Sequence, residues 1–111
     1  WLWAGTNWRQ DISTSLVDCL TGVLLQSDDP DYLCSKWEKA LGKTKSSNEI
    51  AIELDSSKIS FLKSIDGRGE GVNAFVIKTS NKDEVFKRAD EMNLLTKDEI
   101  MLGGVKMILK D

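Results

Sequence analysis

The clearest pattern in the chain is a strand followed directly by a helix, between Gly22 and Gly42. A short apolar run at residues 23–25 is bounded by polar residues, which is typical of a buried or half-buried strand. Asp28 or Asp29, just before Pro30, can cap a helix, and proline suits the first turn because its missing N–H has no partner there. The helix carries one apolar stripe, made by Leu33, Trp37, Ala40 and Leu41. The pattern predicts a βα unit that ends at Gly42.

The same order of elements returns later in the chain. Two alternating segments follow the first helix, at residues 49–54 and 58–64, and they predict a β-hairpin. The glycine-rich stretch 65–71 is interpreted as a connector, since no strand leads directly into a helix there, as a phosphate-binding loop requires. A second strand, helix and hairpin are then predicted at residues 72–79, 82–93, 99–102 and 105–109.

The two halves also align residue by residue. Residues 23–29 set against residues 75–81 keep strand, cap and helix in phase. In the helices, Leu33 then aligns with Val85 and Trp37 with Ala89. In the hairpins, residues 49–54 align with residues 99–104, and the strand from Lys58 aligns with the strand from Lys106. We therefore predict the internal duplication of a βαββ unit.

A lead-in at residues 1–21 precedes the predicted domain at residues 22–111, which comprises module one (22–64), a linker (65–71) and module two (72–111). The lead-in carries three tryptophans, Trp1, Trp3 and Trp8, and has no initiator methionine, so we expect the chain to be the C-terminal half of a longer protein. The tryptophans pack either against the domain's own core or at a seam with a missing segment or a second copy in a homodimer. Residues 11–20 fit either a helix or an extended approach to the first strand.

Composition narrows the classes of function. The chain has 111 residues, a net charge of −3 and no histidine, so the commonest general base and metal ligand is missing. Nucleic acid is excluded as an expected partner because its binding needs a concentrated basic surface. No apolar run can span a bilayer and no signal peptide pattern is present, so we expect a cytoplasmic protein without membrane contact. Cys19 and Cys34 lack metal or redox spacing, which predicts two reduced thiols.

Several stretches of the chain resemble the glyoxalase / bleomycin-resistance / dioxygenase group, also called the vicinal oxygen chelate superfamily, and most closely its glyoxalase-like domain proteins of unassigned function. These stretches are the first strand and helix, the linker, the second helix and the final hairpin, at residues 22–42, 66–72, 81–93 and 100–109. The resemblance implies an α+β fold in which two repeated βαββ(β) modules form a curved, mostly antiparallel sheet around a cleft, with the helices packed outside. The alternative fold is a ferredoxin-like βαββαβ sandwich, although two hairpins at matching places count against it.

The chemistry of the metal-dependent members does not carry over to this chain. Those members place a histidine at the start of the first strand of a module, where this chain has Gly22 in module one and Ala74 in module two. Their carboxylate ligands come from later strands, where Glu53 is the nearest candidate. A single carboxylate cannot chelate a metal, because chelation needs several converging ligands. We therefore expect neither a metal nor another cofactor.

Four residues are candidates for ligand binding. Strand alternation places Gln26 and Lys78 on the face that the resemblance makes the cleft, and Glu53 joins them as a polar group in an apolar concavity. Arg68 in the glycine-rich linker can clamp an anionic ligand through two parallel hydrogen bonds. The plainer alternative for all four is a solvated side chain at the surface.

Three functions remain open from the sequence. The first is a metal-free, glyoxalase-like module that binds a small organic molecule in its cleft. The second is the C-terminal half of a metal-dependent lyase or dioxygenase whose ligands lie in a missing N-terminal part. The third is a structural module that dimerises through sheet edges or the tryptophan face. Whether the chain is an enzyme is left open.

Overall fold

Residues 2–111 form one seven-stranded mixed sheet, and the two α-helices of this part pack against the same face. The computed structural model describes residues 2–111, and of Leu2 only the backbone, so the predicted role of Trp1 lies outside the described residues. After two short 3-10 helices, Leu2–Ala4 and Trp8–Asp11, come β1 (Val17–Ser27), α1 (Pro30–Leu41), β2 (Ala51–Glu53), β3 (Lys58–Lys63), β4 (Gly71–Thr79), α2 (Lys82–Glu91), β5 (Leu95–Thr96), β6 (Glu99–Leu102) and β7 (Val105–Lys110). The strand order in the sheet is β2-β3-β1-β4-β7-β6-β5.

The two halves of the sheet share the topology of three strands, and the second half has one more strand, β5, paired antiparallel with β6. In the first, β1 pairs in parallel with β3, and β3 pairs antiparallel with β2. In the second, β4 pairs in parallel with β7, and β7 pairs antiparallel with β6. The halves meet at the antiparallel pair β1–β4 in the middle of the sheet. The predicted α+β fold of two βαββ modules is thereby confirmed, and the chain does not adopt the ferredoxin-like alternative.

The register between β1 and β4 follows the predicted alignment of the modules. Val23 lies opposite Phe75, its own counterpart, and the pairs on either side of it mirror each other: Gly22 with Val76 and Leu24 with Ala74. Two of the three register shifts also mirror each other, because the ladder skips Thr21 on β1 and its counterpart Asn73 on β4, whereas the shift at Asp18 has no counterpart. A two-fold relation between the modules accounts for both observations.

The hairpin alignment was wrong by two residues. Ile52 lies opposite Ile59, and the matching pair in module two is Ile100 with Met107, so Ile100 corresponds to Ile52 and not to Ile50. The cause is turn length. The turn between β2 and β3 spans residues 54–57 and is closed by a 2.8 Å hydrogen bond from the amide of Leu54, whereas residues 103–104 suffice between β6 and β7. Because the shift is an even number of residues, it leaves each side chain on the predicted face.

β1 begins earlier than the predicted domain, at Val17 within the lead-in, so the extended alternative for this stretch is the one adopted. The partner strand explains the extension. Val17 pairs with Thr79, whose hydroxyl donates a 2.6 Å hydrogen bond to the carbonyl of Leu16. The 3-10 helix ends at Asp11, ahead of this strand.

The helix boundaries repeat the same local chemistry in both modules. Asp29 caps α1 through a 3.1 Å bond from the Tyr32 amide, and Asn81 caps α2 through a 3.1 Å bond from the Glu84 amide. Gly42 ends α1 at φ 65°, a left-handed conformation that glycine adopts without the steric cost of a side chain. Within the described residues, no helix is long and apolar enough to span a membrane.

A packed core lies between α1 and the sheet. It is formed by Leu25, Cys34, Ile52 and Phe61, and the Trp37 ring packs edge-to-face on Phe61 with 6.4 Å between ring centroids. Both cysteines are free thiols, Cys19 exposed and Cys34 buried, and burial raises the pKa of Cys34. The face of the sheet opposite this core is left for the cleft.

Candidate functional site

A cavity of about 490 Å³ lies on the face of the sheet opposite the helices. Since successive strand residues point to opposite faces, Leu24 and Val76 reach this cavity while Leu25 packs in the core. The hairpin between β2 and β3 forms the polar rim. The cavity is lined by Thr21, Gly22, Leu24, Glu53, Leu54, Asp55, Ser56, Ser57, Lys58, Ser60, Val76 and Lys110.

Gly22, on the floor of the cavity, is tightly packed against its neighbours. A Cβ atom at this position would lie 3.2 Å from the Lys58 carbonyl oxygen and 3.4 Å from the Val76 side chain, so a larger residue would displace its neighbours. The corresponding residue, Ala74, is fully buried. Residues 2–111 contain no group of three or more cysteine, aspartate or glutamate side chains that could hold a metal ion. The residues present therefore do not fit the metal centre of the metal-dependent members.

Charges of both signs meet at the rim of the cavity. Glu53 lies opposite Lys58 in the β2–β3 ladder, and the Lys58 ammonium donates a 2.8 Å hydrogen bond to Glu49. This hydrogen bond raises the pKa of Lys58, and the charges of Glu49 and Glu53 raise it further. Lys58 therefore stays protonated at neutral pH. It can hold an anionic group but is a poor general base.

Gln26 anchors the linker through hydrogen bonds. Its side chain is 1% exposed, and its amide nitrogen donates to the Asp66 carboxylate at 2.9 Å and to the Gly69 carbonyl at 2.8 Å. Its amide oxygen accepts a 2.9 Å hydrogen bond from Asn73. A buried amide with both donor hydrogens and its oxygen engaged has little left to offer a ligand. Gln26 thus ties the linker to the end of β1.

Arg68 belongs to the same network as Gln26. Its Nε donates to Asp66 at 2.7 Å, and its Nη1 donates to the Gly104 carbonyl at 2.6 Å, which straps the linker to the turn between β6 and β7. The pKa of Asp66 is lowered to about 2, chiefly by the hydrogen bond from the Arg68 backbone amide and then by the Gln26 and Arg68 side chains. A second cavity of about 500 Å³ lies beside this strap, between the linker and module two.

The four predicted residues thus occupy three places. Gln26 and Arg68 meet through Asp66, and Glu53 lies at the first cavity. Lys78 is exposed near the end of β4, where it pairs with Lys110 on the neighbouring strand. Several residues of the cavity and the two networks were not predicted, among them Lys58, Ser60, Asp66 and Asn73. Strand alternation alone could have placed Lys58 and Ser60 beside Glu53, had the hairpin register been known.

Trp3 and Trp8 of the lead-in are not part of the described core and do not line the first cavity. Trp3 is 82% exposed, and Trp8 is half-buried with the Arg9 guanidinium carbon 4.8 Å from the centroid of its ring. Trp37, on α1, is the tryptophan that packs against the described core.

Comparison with known proteins supports the fold and leaves the activity open. No model of a protein family matches the chain, and no curated protein matches it either. Among solved structures, the crystal structure of methylmalonyl-CoA epimerase from Mycobacterium tuberculosis is similar, with a TM-score of 0.63 and 18% sequence identity over 88% of this chain and 90% of that chain. At this identity the likeness is one of fold, and it does not bear on whether residues precede Trp1. The shared fold agrees with the paired-module, glyoxalase-like fold that the sequence resemblance implied.

Proposed function

We propose that the chain is a vicinal-oxygen-chelate-fold module that binds a small polar organic molecule in the 490 Å³ cavity without a metal of its own. The observation that carries this proposal is the contrast within the cavity. Leu24 and Val76 give the cavity an apolar floor, and it is also lined by Glu53 and by Lys58, whose ammonium pairs with Glu49. Apolar side chains among polar and charged ones give the cavity a mixed lining, which suits a ligand that is itself part apolar and part polar.

The rim suggests the chemical class of the ligand. The Lys58 ammonium suits a carboxylate, and the Glu53 carboxylate suits a hydrogen-bond donor such as a hydroxyl or ammonium group. Ser60 adds a hydroxyl close to the floor. A small hydroxy or amino carboxylic acid, with its carbon skeleton on the apolar floor, satisfies all three. The raised pKa of Lys58 favours holding such a molecule over removing a proton from it.

The test is titration of the chain, followed by NMR chemical shifts, with a panel of small hydroxy and amino carboxylic acids. We expect saturable shifts at the cavity residues for at least one acid. Module two offers natural substitutions, because it has methionine and isoleucine where module one has Glu53 and Ser60. Glu53→Met and Ser60→Ile should each weaken binding at least tenfold, and Asp90→Asn on α2 is the control that should not. Unchanged affinity in both cavity variants would contradict the proposed site.

Metal content is tested separately. Elemental analysis of the purified chain should find no stoichiometric transition metal after dialysis against metal-free buffer. About one firmly held transition metal ion per chain would contradict the metal-free proposal and favour the metal-dependent lyase or dioxygenase.

A structural role is the second candidate, favoured by the 82% exposure of Trp3. An exposed tryptophan beside the half-buried Trp8 gives the lead-in the large apolar side chains that enrich protein interfaces. Under this proposal the chain is a homodimer joined through the lead-in. Light scattering after size-exclusion chromatography should then give a dimer that Trp3→Ala converts to a monomer, and a monomeric parent chain would contradict it.

A further inference from the structure

Module two contains an apolar cavity at the place where module one has its packed core. The cavity has a volume of about 210 Å³ and lies on the helix side of the sheet, opposite the cleft. Ladder register identifies the matching walls: Ile77 lies opposite Leu109 in module two as Leu25 lies opposite Phe61 in module one, and Ile100 matches Ile52. The walls of this cavity are thus the counterparts of the module-one core residues.

One side chain accounts for most of the difference. Trp37 fills the module-one core and packs on Phe61 with an angle of 63° between the rings. Its counterpart on α2 is Ala89, which is 5% exposed and lines the cavity, and the counterpart of Phe61 is the smaller Leu109. Module two therefore keeps residues equivalent to those that surround Trp37 but has no indole side chain between them.

We propose that module two binds a small neutral aromatic molecule of indole size in this cavity. The lining consists of hydrocarbon and thioether side chains and carries no charged side chain, so it disfavours ionic ligands. An enclosed apolar cavity of about 150 Å³ is large enough to bind benzene, and this cavity, which is open on one side, has a volume of about 210 Å³. Met92 and Met107 add thioether sulfurs to the lining, and sulfur makes favourable contacts with aromatic rings.

The mouth of the cavity is open to ligands. Met92 is 67% exposed and Val17 is 38% exposed, and both contribute to the lining. An unbranched methionine can move aside without disturbing the helix backbone. A ligand can therefore enter between α2 and β1 without unfolding of the module.

The experiment is titration of the whole chain with indole, followed by calorimetry and by NMR chemical shifts. We expect one saturable site, with shifts at Ile77, Ala89 and Leu109. Ala89→Trp supplies the missing ring from the chain itself and should weaken indole binding at least tenfold while raising the Tm. Lys87→Trp adds the same side chain to the exposed face of the same helix and should leave the affinity unchanged.

Two further variants keep the test decisive if Ala89→Trp does not fold. Ala89→Leu fills part of the cavity and should give an intermediate loss of affinity. Trp37→Ala opens the matching space in module one, and indole should then bind at two sites and restore part of the lost Tm. The proposal is overturned if indole shows no saturable binding or if Ala89→Leu leaves the affinity unchanged. It is also overturned if the chain does not bind indole and Ala89→Trp dissociates a dimer, because the cavity would then be a contact between two copies of the chain.

This site is independent of the proposed cleft function. Glu53→Met alters the opposite face of the sheet and should leave indole binding unchanged. Failure of the acid titration with success of the indole titration would therefore remove the cleft proposal alone.

Discussion

Replacing Gln26 by leucine tests whether this residue holds the linker or binds a ligand. The side chain is buried and makes three hydrogen bonds, to Asp66, to Gly69 and from Asn73. Leucine is of similar size and fills the space but forms none of them. If the network describes the role of Gln26 correctly, Gln26→Leu destabilises the fold and releases the linker.

The magnitude follows from the partners that lose a bond. The hydrogen bonds with the Gly69 carbonyl and with Asn73 contribute about 1 kcal/mol each. Leaving these part-buried groups poorly paired costs about 1 kcal/mol more, whereas Asp66 keeps its bonds from Arg68. We therefore expect a loss of about 3 kcal/mol in the free energy of unfolding. At about 4 °C per kcal/mol for a domain of this size, Tm falls by about 12 °C.

Urea denaturation gives the free energy, and limited trypsin digestion reports on the linker itself. Trypsin cleaves after arginine, and Arg68 lies in the middle of the strap that Gln26 anchors. Cleavage after Arg68 should be faster in Gln26→Leu than in the parent chain at equal temperature. Gln10→Leu changes the chain's other glutamine, which is exposed in the lead-in, and should alter neither measurement.

A glutamate at this position adds a pH test of the same network. The new carboxylate would face the Asp66 carboxylate and the Gly69 carbonyl without a hydrogen to donate, so its pKa would be raised by folding. A raised pKa means that stability is highest below the unfolded pKa and is lost as pH rises through the folded value. Gln26→Glu should therefore be less stable than Gln26→Leu at pH 7, with the difference in stability closing toward pH 4.

A Tm within about 2 °C of the parent for Gln26→Leu, with unchanged trypsin cleavage after Arg68, would refute the anchoring role of Gln26.

Three shorter predictions concern the linker, the first helix and the thiols. Folding lowers the pKa of Asp66 from 3.8 to about 2, so its contribution to stability is present above pH 3.8 and lost as pH falls toward 2; urea denaturation should show a smaller acid loss in Asp66→Asn than in the parent chain. Gly42→Ala forces a side chain into a backbone with φ 65° and should cost about 1 kcal/mol in urea denaturation, and no loss would contradict the left-handed cap. In the native chain a thiol reagent should modify the exposed Cys19 rapidly, and the buried Cys34, whose pKa is raised, should react only on unfolding.

The parts of the fold that depend on local chemistry could be predicted from the sequence. Asp29 and Asn81 cap the helices because a short side-chain oxygen satisfies the first amides, and this choice depends on neighbouring residues alone. The alignment of Val23 with Phe75 could be predicted because duplication leaves the same order of apolar positions in both modules. The first inference uses neighbouring residues alone, and the second compares the order of residues in two separate segments of the chain.

The parts that depend on distant partners could not be predicted. The start of β1 at Val17 is determined by the edge that β4 offers, far along the chain. The burial of Gln26 depends on Asp66, which is 40 residues away, and on the path of the linker. Strand alternation placed Gln26 on the correct face but could not show that the linker covers it. A polar residue at a strand end therefore indicates the face that it occupies and not the partner that it meets.

The cavities of the two modules differ through their side chains, whereas the backbone of module two differs by the extra strand β5 and a shorter hairpin turn. Because the β1–β4 register is mirrored about Val23 and Phe75, each module presents equivalent positions on both faces of the sheet. Module one has polar residues toward the cleft and a filled core, whereas module two has an open space beneath Ala89. Changes at Glu53 and Ala89 act on opposite faces and in different modules, so their effects on stability should add. A double variant that departs from additivity by more than about 0.5 kcal/mol would show that the central strands couple the two sites.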